Sequence, residues 1–404
     1  MKSICSHFFF DKIFVRIILQ YGLYKIFFLL VPFLKINKNK IVFSSFRGNK
    51  YGDNPKYIAE QMHKDAPDME LVWLINRLKN VSEKDFPPYI KVVNQNSFRA
   101  LYELATAKFW IDNFRKAFFI PKRRGQFYLQ VWHGAVALKK IEKDVENKLE
   151  KKYVEQAKKD SKYTDLCVAG TQHLHNIYKN SFWYDGRIID TGSPRNDILF
   201  STDETKKIER LKQLNCLSGE KICLYAPTFR NSADTSVYSI DYQLLKSTLE
   251  QKFSGTWKIF IRLHPQMIFM KSKLNIPDFV TDVSTYPDSQ ELLFVSDCVI
   301  TDYSSIIYDF AITKRPAFIF ATDYEHYKTE ERGFYFSLEE TPFVVSKDNS
   351  ELKQSIENFS YNHYSELVQR FEKRIGYFDN GNASKTVCSI IENNIDNWNK
   401  DIIF

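Results

Sequence analysis

The chain has no Cys-x-x-Cys pair. Its six cysteines (Cys5, Cys167, Cys216, Cys223, Cys298, Cys388) are scattered over 404 residues, which excludes a zinc ribbon or a disulfide framework and fits a reducing compartment. Also missing is an unbroken apolar run of the roughly 20 residues that a membrane-spanning helix needs. Asp11, Lys12, Arg16, Gln20 and Lys25 interrupt the Phe-, Ile- and Leu-rich stretch 8–34, and no small-residue exit of a cleavable leader follows it. There is no strongly basic tail and no nucleic-acid-binding signature, so nucleic acid is not an expected partner. His173-Leu-His175 is the one hint of a metal site. Without acidic or cysteine neighbours it reads as two faces of an ordinary element.

What is present is the composition of a globular protein, 44% hydrophobic and 26% charged, rich in Phe (34) and Tyr (23). The length exceeds what one core usually serves, so two domains are expected. A net charge of +8 suits a polyanionic substrate or an anionic membrane surface. Within 8–34, Ile13, Phe14, Ile17, Ile18, Tyr21, Tyr24, Phe27 and Phe28 mark one broad apolar side, and Lys12, Arg16 and Lys25 can reach lipid phosphates. Residues 1–38 are therefore expected to hold an amphipathic helix lying on the membrane; packing against the first domain is the competing reading.

From Lys40 onward short apolar runs alternate with helical segments. Strands are expected over 40–45, 70–75, 90–93, 107–112, 127–132, 165–169 and 188–192, with helices over 54–63 and 97–106. After a polar hinge at 201–220 the rhythm resumes with strands over 221–225, 257–263, 295–300 and 316–320, a helical region over 352–378 and a last helix over 383–399. This is the pattern of an α/β protein with parallel sheets. Each strand of the second unit delivers polar residues at its carboxyl end, and in a parallel sheet those ends share one ligand-binding edge. Arg230, Arg262 or His264, and Ser304 with Ser305 can thus converge on a pyrophosphate. Side-chain alternation leaves open whether Arg262 or His264 faces it.

Two stretches carry the chemistry. Residues 295–311 change hydrophobic period: an apolar strand runs to Ile300, and Ile306, Ile307, Phe310 and Ala311 then fall at helical spacing. Asp302, Ser304 and Ser305 between them are helix-capping residues, so a strand, a tight turn and a helix start follow one another. Such a turn offers N–H groups and hydroxyls to a phosphate, or it simply caps its own helix. Trp132-His133-Gly134 sets an imidazole just past a strand end, with a glycine that permits close approach.

With these pieces the sequence resembles the CDP-glycerol glycerophosphotransferase family of teichoic-acid and capsule synthesis. The matching stretches are Trp132-His-Gly134 with Leu138-Lys-Lys-Ile141, Gly192-Ser-Pro-Arg-Asn-Asp197, Tyr225-Ala-Pro-Thr-Phe-Arg230, Ile261-Arg-Leu-His-Pro265, Ile300-Thr-Asp-Tyr-Ser-Ser305 with Asp309-Phe310, and Arg332-Gly-Phe-Tyr335. Phe43-Ser-Ser-Phe-Arg-Gly48 and Asp53-Asn-Pro-Lys-Tyr-Ile58 also look like the family's first domain. The resemblance implies a GT-B type protein, two Rossmann-like domains facing a cleft. Residues 39–200 would serve the acceptor, 201–375 would hold a CDP donor, and 376–404 would form a helix that can cross back to the first domain. It implies peripheral attachment to the cytoplasmic face of the membrane, CDP-glycerol or a related CDP-polyol as donor, and a lipid-linked or polymeric glycan as acceptor. CDP-ribitol and nucleotide-sugar donors are the alternatives, and a catalytically idle, polymer-binding scaffold is the reading from another class.

Carried over residue by residue, His133 is the expected base and His264 the second catalytic imidazole, with their roles exchangeable. Gly134, Arg195, Asn196, Thr228, Arg230, Arg262, Thr301, Asp302, Ser304, Ser305, Asp309 and Arg332 are expected to contact substrate. No metal site is expected, although Asp302, Asp309 and Asp323 leave Mg²⁺ open. One departure stands out. Many polymerising members follow His-Gly with Thr-Pro, where this chain has Ala135-Val136-Ala137, and Glu142 replaces a common Gly. The extra length of members with repeat modules is also missing, so the sequence gives no support for processive polymer handling.

Overall fold

The computed structural model describes residues 27–79, 81–116, 121–216, 219–230, 235–330 and 333–395. Two parallel sheets form two α/β domains. The first holds β1 (Asn37–Ser44), β2 (Glu70–Ile75), β3 (Ile90–Asn94), β4 (Ala107–Asp112), β5 (Phe127–Gln130), β6 (Leu166–Ala169) and β7 (Arg187–Asp190), in the order β3-β2-β1-β4-β5-β6-β7. The second holds β8 (Lys221–Ala226), β9 (Trp257–Ile261), β10 (Val280–Asp282), β11 (Cys298–Thr301), β12 (Ala317–Phe320) and β13 (Val345–Ser346), in the order β10-β9-β8-β11-β12-β13.

The strands are apolar almost throughout because both faces are covered. In β1, Ile41 and Phe43 enter one core cluster while Val42 enters another. In β8, Ile222 and Leu224 face one cluster while Cys223 and Tyr225 face the other. Each strand order reverses once, between β1 and β4 and between β8 and β11. At such a switch point the loops leaving the carboxyl ends diverge and open a crevice.

Several expected boundaries shift. Val295 ends the helix Ser289–Val295, capped by the Asp288 side chain, and β11 begins only at Cys298. The region 352–378 divides into Asn349–Glu357 and Tyr361–Ile375, because Ser360 caps a new helix. Between β5 and β6 the chain forms a short 3₁₀ stretch, Glu142–Lys148, and the helix Lys151–Tyr163. The edge strands β10 and β13 are too short for a period to show.

The expected surface helix within 1–38 lies almost wholly outside the described residues. No described helix is long and apolar enough to cross a membrane. The last described helix, Ala383–Asn393, packs on the helix Asp53–Asp65 of the first domain. Val387, Cys388 and Ile391 join Ile41, Ile58 and Met62 in one cluster, and the N–H groups of Ala383 and Ser384 donate to Asp197 at 3.0 and 2.7 Å.

Contact between the domains is apolar and ionic at once. Ala135, Val136 and Leu138 belong to the same buried cluster as Tyr303, Ile307 and Tyr308 of the second domain. Ala135 and Val136, of the stretch that sets this sequence apart, therefore lie at the interdomain seam. Lys56 on the first domain reaches Asp288 and Glu291 on the second at 2.6 and 2.7 Å, all three buried.

Candidate active site

The first-domain side of the domain junction comes from the ends of β1, β4 and β5. Phe46 follows β1, Asn113 follows β4 and His133 follows β5. The Asn113 carbonyl lies 2.6 Å from His133 Nδ1, and its side-chain oxygen accepts from the Phe46 N–H at 2.8 Å. A ring nitrogen at a carbonyl must be the protonated one, so His133 presents an unprotonated Nε2. Phe114 stacks on the imidazole at 5.0 Å between centroids, with Phe46 tilted at 5.3 Å and Trp132 at 4.3 Å. Burial in this box pulls the His133 pKa down to about 4, so the ring is neutral around pH 7.

Backbone strain concentrates here. Of nine non-glycine residues in the left-handed region among those described, Phe46, Arg47, Asp53, Trp132 and Glu142 lie on this side of the junction. Asn54 secures one of them: its side-chain amide donates to the carbonyls of Val131 and Trp132 at 2.8 and 3.0 Å. Glu142 (φ 56) explains why glycine suits its position, and the carboxylate is held at 2.8 Å by Arg115, buried with it.

Beneath this side of the junction lies a buried polar cluster that joins the domains. Arg195 donates to Asp53 at 2.8 Å and to Asp309 at 2.6 Å, while its backbone N–H donates to Asn54. Asn196 and Gln290 complete the cluster, the Gln290 amide reaching Asn196 at 2.7 Å and Asp309 at 3.3 Å. Two carboxylates share one guanidinium. Burial raises Asp309, and Arg195 offsets that only in part because Asp53 stands nearby. At Asp53 the Arg195 and Lys50 charges outweigh burial and hold the pKa low.

Directly above, a side-chain carbon placed on Gly134 would sit 3.6 Å from Ser305 Oγ and 4.0 Å from Arg195 Nη2. The His-Gly turn of one sheet thus meets the serine turn of the other. Ser304 and Ser305 are half-buried; Ser305 Oγ has no hydrogen bond among the described residues and does not cap its helix, Ile306–Ala311.

The second-domain edge divides in two. Arg230 is engaged on all sides: Nε with Asp323 at 2.7 Å, Nη2 with Asp302 at 2.9 Å and Asp323 at 3.1 Å, Nη1 with both Thr228 oxygens. Asp302 also accepts from the N–H groups of Thr228 and Tyr303, and the Thr301 hydroxyl donates to the Ala226 carbonyl. In this structure Thr228, Arg230 and Asp302 hold one another, Thr301 ties β11 to the end of β8, and together they fix the loops after β8 and β11. The other part is open. Half-buried Arg262 donates only to the carbonyls of Tyr286 (2.7 Å) and Val283 (3.3 Å), with no ion pair among the described residues. His264 is exposed, and its Nδ1 accepts from the Gln266 N–H at 3.3 Å, so its free Nε2 carries the proton when the ring is neutral.

The structure thus gathers His133, Gly134, Arg195, Asn196, Ser305 and Asp309 at the domain junction. It sets Arg262 and His264 on the facing edge; Arg332 lies outside the described residues. Sequence reasoning missed Asp53, Asn54, Lys50, Asn113 and Gln290. The first three follow the first strand, where the carboxyl-edge argument could have found them; nothing in the pattern marked the last two. His173 and His175 serve the Ala137 carbonyl and Asp190. Asp302, Asp309 and Asp323 each accept from an arginine, a donor set that does not fit Mg²⁺.

A sequence model of the family described as CDP-glycerol:poly(glycerophosphate) glycerophosphotransferase matches residues 26–393. The teichoic acid poly(glycerol phosphate) polymerases of Staphylococcus epidermidis and Bacillus subtilis are each 31% identical, over 89% and 91% of this chain. The chain spans about half the length of these relatives, 51% and 50%. A teichoic acid glycerol-phosphate transferase of Staphylococcus aureus is 32% identical over 88% of this chain and 93% of its own length. The solved structure of the wall teichoic acid polymerase TagF aligns with a TM-score of 0.78 at 30% identity, covering 89% of this chain and 90% of that one. A histidine-to-asparagine variant of it was soaked with CDPG.

Proposed function

The chain belongs to the CDP-glycerol:poly(glycerophosphate) glycerophosphotransferase family, and from that premise we propose that it moves glycerol phosphate from CDP-glycerol to a hydroxyl of a lipid-linked or polymeric glycan. CMP is released, and the product enters teichoic acid or capsule synthesis. The two domains are read as GT-B halves, the first serving the acceptor and the second the donor.

The observation that carries this reading is the meeting of the His133-Gly134 turn of the first domain with Ser305 of the second. The acceptor oxygen attacks the phosphorus bearing glycerol; the new O–P bond forms as the P–O bond to CMP breaks, and the electron pair leaves with CMP. The acceptor proton passes to His133 Nε2, which hydrogen bonding leaves free to take it. The rest is positioning and charge stabilisation. His264 Nε2–H, Arg262 and Ser305 Oγ are the open donors for the diphosphate. The tautomers support assigning the base to His133 and the donor to phosphate to His264. Arg195, Asn196 and Asp309 act by joining the domains, and Thr228, Arg230, Thr301 and Asp302 by fixing the loops that carry Ser304 and Ser305. Asp302, Asp309 and Asp323, being held by arginines, give the reaction no Mg²⁺ site.

Relatives named for ribitol phosphate are 26–28% identical, below the 29–32% of those named for glycerol phosphate, which favours the glycerol donor. Peripheral membrane attachment is part of the same proposal, supported by Leu29, Leu30 and Phe33, which are 72%, 54% and 85% exposed. Flotation with anionic vesicles tests it: the protein should float and a variant lacking residues 1–33 should not; protein that stays with the soluble fraction would refute attachment, and a floating truncation would refute the part given to Leu29, Leu30 and Phe33. For the activity, purified protein is offered CDP-glycerol, CDP-ribitol and UDP-sugars. CMP release from CDP-glycerol with a mass gain of one glycerol phosphate is expected. UDP release would mean glycosyl transfer, and absence of nucleotide binding would mean a scaffold.

A further inference from the structure

We infer that Lys50 is the first domain's ligand to the phosphoryl group being transferred, facing Arg262 of the second domain so that the reacting phosphate is held between the two. This rests on the function proposed above and adds to it a catalytic residue on the side of the base.

Lys50 borders both the base and the donor edge. Its ammonium lies 4.3 Å from the centroid of Phe46, and that ring packs at 5.3 Å on His133. Two residues on, the chain touches the second domain: a side-chain carbon placed on Gly52 would sit 3.5 Å from the Pro287 carbonyl oxygen. The carbonyl before it, that of Tyr286, is the one that accepts from Arg262 at 2.7 Å. Lys50 is thus one ring from the base and beside the loop that holds Arg262. A phosphorus attacked by a hydroxyl at His133 Nε2, with its leaving group toward Arg262 and His264, lies in the space between them, and Lys50 is the half-buried first-domain cation on that space.

The charges there lack a counterion. Lys50 and Arg262 are both half-buried, and neither makes an ion pair among the described residues. The neighbouring cations are neutralised, Lys56 by Asp288 and Glu291, Arg195 by Asp53 and Asp309, Arg230 by Asp302 and Asp323. Arg262 and Asp288 act on Lys50 from the second domain, Asp53 and Arg195 from the shared cluster. Burial, and after it the Arg262 charge, pull the Lys50 pKa down to about 8. Two like charges kept partly out of water without an anion are costly, and a phosphate between them removes that cost.

The loop is braced on both sides of Lys50. The Asn76 N–H donates to the Gly48 carbonyl at 2.7 Å, the Ser45 hydroxyl donates to the Gly52 carbonyl at 2.9 Å, and the Tyr51 ring packs on Trp73 at 4.9 Å in the core. The ammonium therefore extends from a fixed point. In the transition state charge is spread over the oxygens of the transferred group, and a cation set beside them beforehand stabilises it without rearrangement. No proton passes to or from Lys50.

The test uses the full chain with CDP-glycerol and a soluble acceptor glycan, read by CMP release. In Lys50→Met, kcat at saturating donor should fall by ~10²-fold or more, the scale for losing a donor aimed at transition-state charge, and Lys50→Arg should recover most of it. The pH profile is the readout that a merely structural lysine would not move. Lys50 acts when charged, so kcat/KM should fall as pH rises through about 8, and Lys50→Arg, charged throughout, should lose that limb. Turnover of Lys50→Met near that of the unsubstituted protein overturns the inference, as does a limb that stays at the same pH in Lys50→Arg. Equal losses in the two variants overturn it too, since a retained charge then counts for nothing, and so does a loss confined to KM, which would leave Lys50 holding the ground state alone. If the unsubstituted protein releases no CMP from CDP-glycerol, the underlying function is refuted, whereas release that ignores position 50 refutes the role of Lys50 alone.

Discussion

Replacing Arg195 by methionine should separate the domains' shared polar cluster in a way that depends on pH. The side chain is buried and neutralises Asp53 and Asp309, themselves 4% and 1% exposed. Removing one member of a buried ionic cluster costs about 3–5 kcal/mol, because the remaining charges are left without a partner. A second route gives a similar ceiling. A carboxylate that cannot stay ionised takes up a proton, at about 1.4 kcal/mol for each pH unit above its ordinary pKa of 3.8, or roughly 4 kcal/mol at pH 7. In the variant the folded-state pKa of Asp309 lies well above its unfolded value, so the variant gains stability as pH falls. The gap from wild type should narrow by up to about 3 kcal/mol between pH 7 and pH 5. Urea denaturation at the two pH values measures this. A gap below about 1 kcal/mol at pH 7, or one that does not change with pH, would refute the reasoning.

Glu142→Gly sets two effects against each other: relief of about 1 kcal/mol of left-handed strain, and loss of a buried partner of Arg115 worth about 3–5 kcal/mol. A net loss of about 2–4 kcal/mol in denaturant unfolding is expected, and a more stable variant would mean that the strain dominates. Gly48→Ala places a carbon 2.8 Å from Asn76 N and 2.9 Å from Gln95 Oε1 at φ +76, and should cost about 1–3 kcal/mol in the same assay. Treatment with EDTA should leave CMP release in place, since arginines already hold Asp302, Asp309 and Asp323; complete loss restored by Mg²⁺ would contradict this.

Much of the architecture was legible because parallel strands buried on both faces write themselves as apolar runs. β2 and β4 fall where 70–75 and 107–112 were expected. The carboxyl-edge argument located His133, Arg262, His264 and the serine turn. It could not distinguish an open side chain from an engaged one. Arg230 and Arg262 look equivalent as strand-end arginines, yet one is surrounded by Asp302 and Asp323 and the other meets only carbonyls. That difference comes from residues about 70 and 90 positions away in sequence. The Ala135-Val136 part of the departure likewise had no meaning until the second domain was seen packed upon it. Short edge strands such as β13, two residues long, carry no readable period.

The most direct test of the account is CMP release from CDP-glycerol by His133→Ala, with acceptor present and donor saturating. If the imidazole held by the Asn113 carbonyl takes the acceptor proton, turnover should fall by ~10²-fold or more. Turnover close to that of the unsubstituted protein would contradict it.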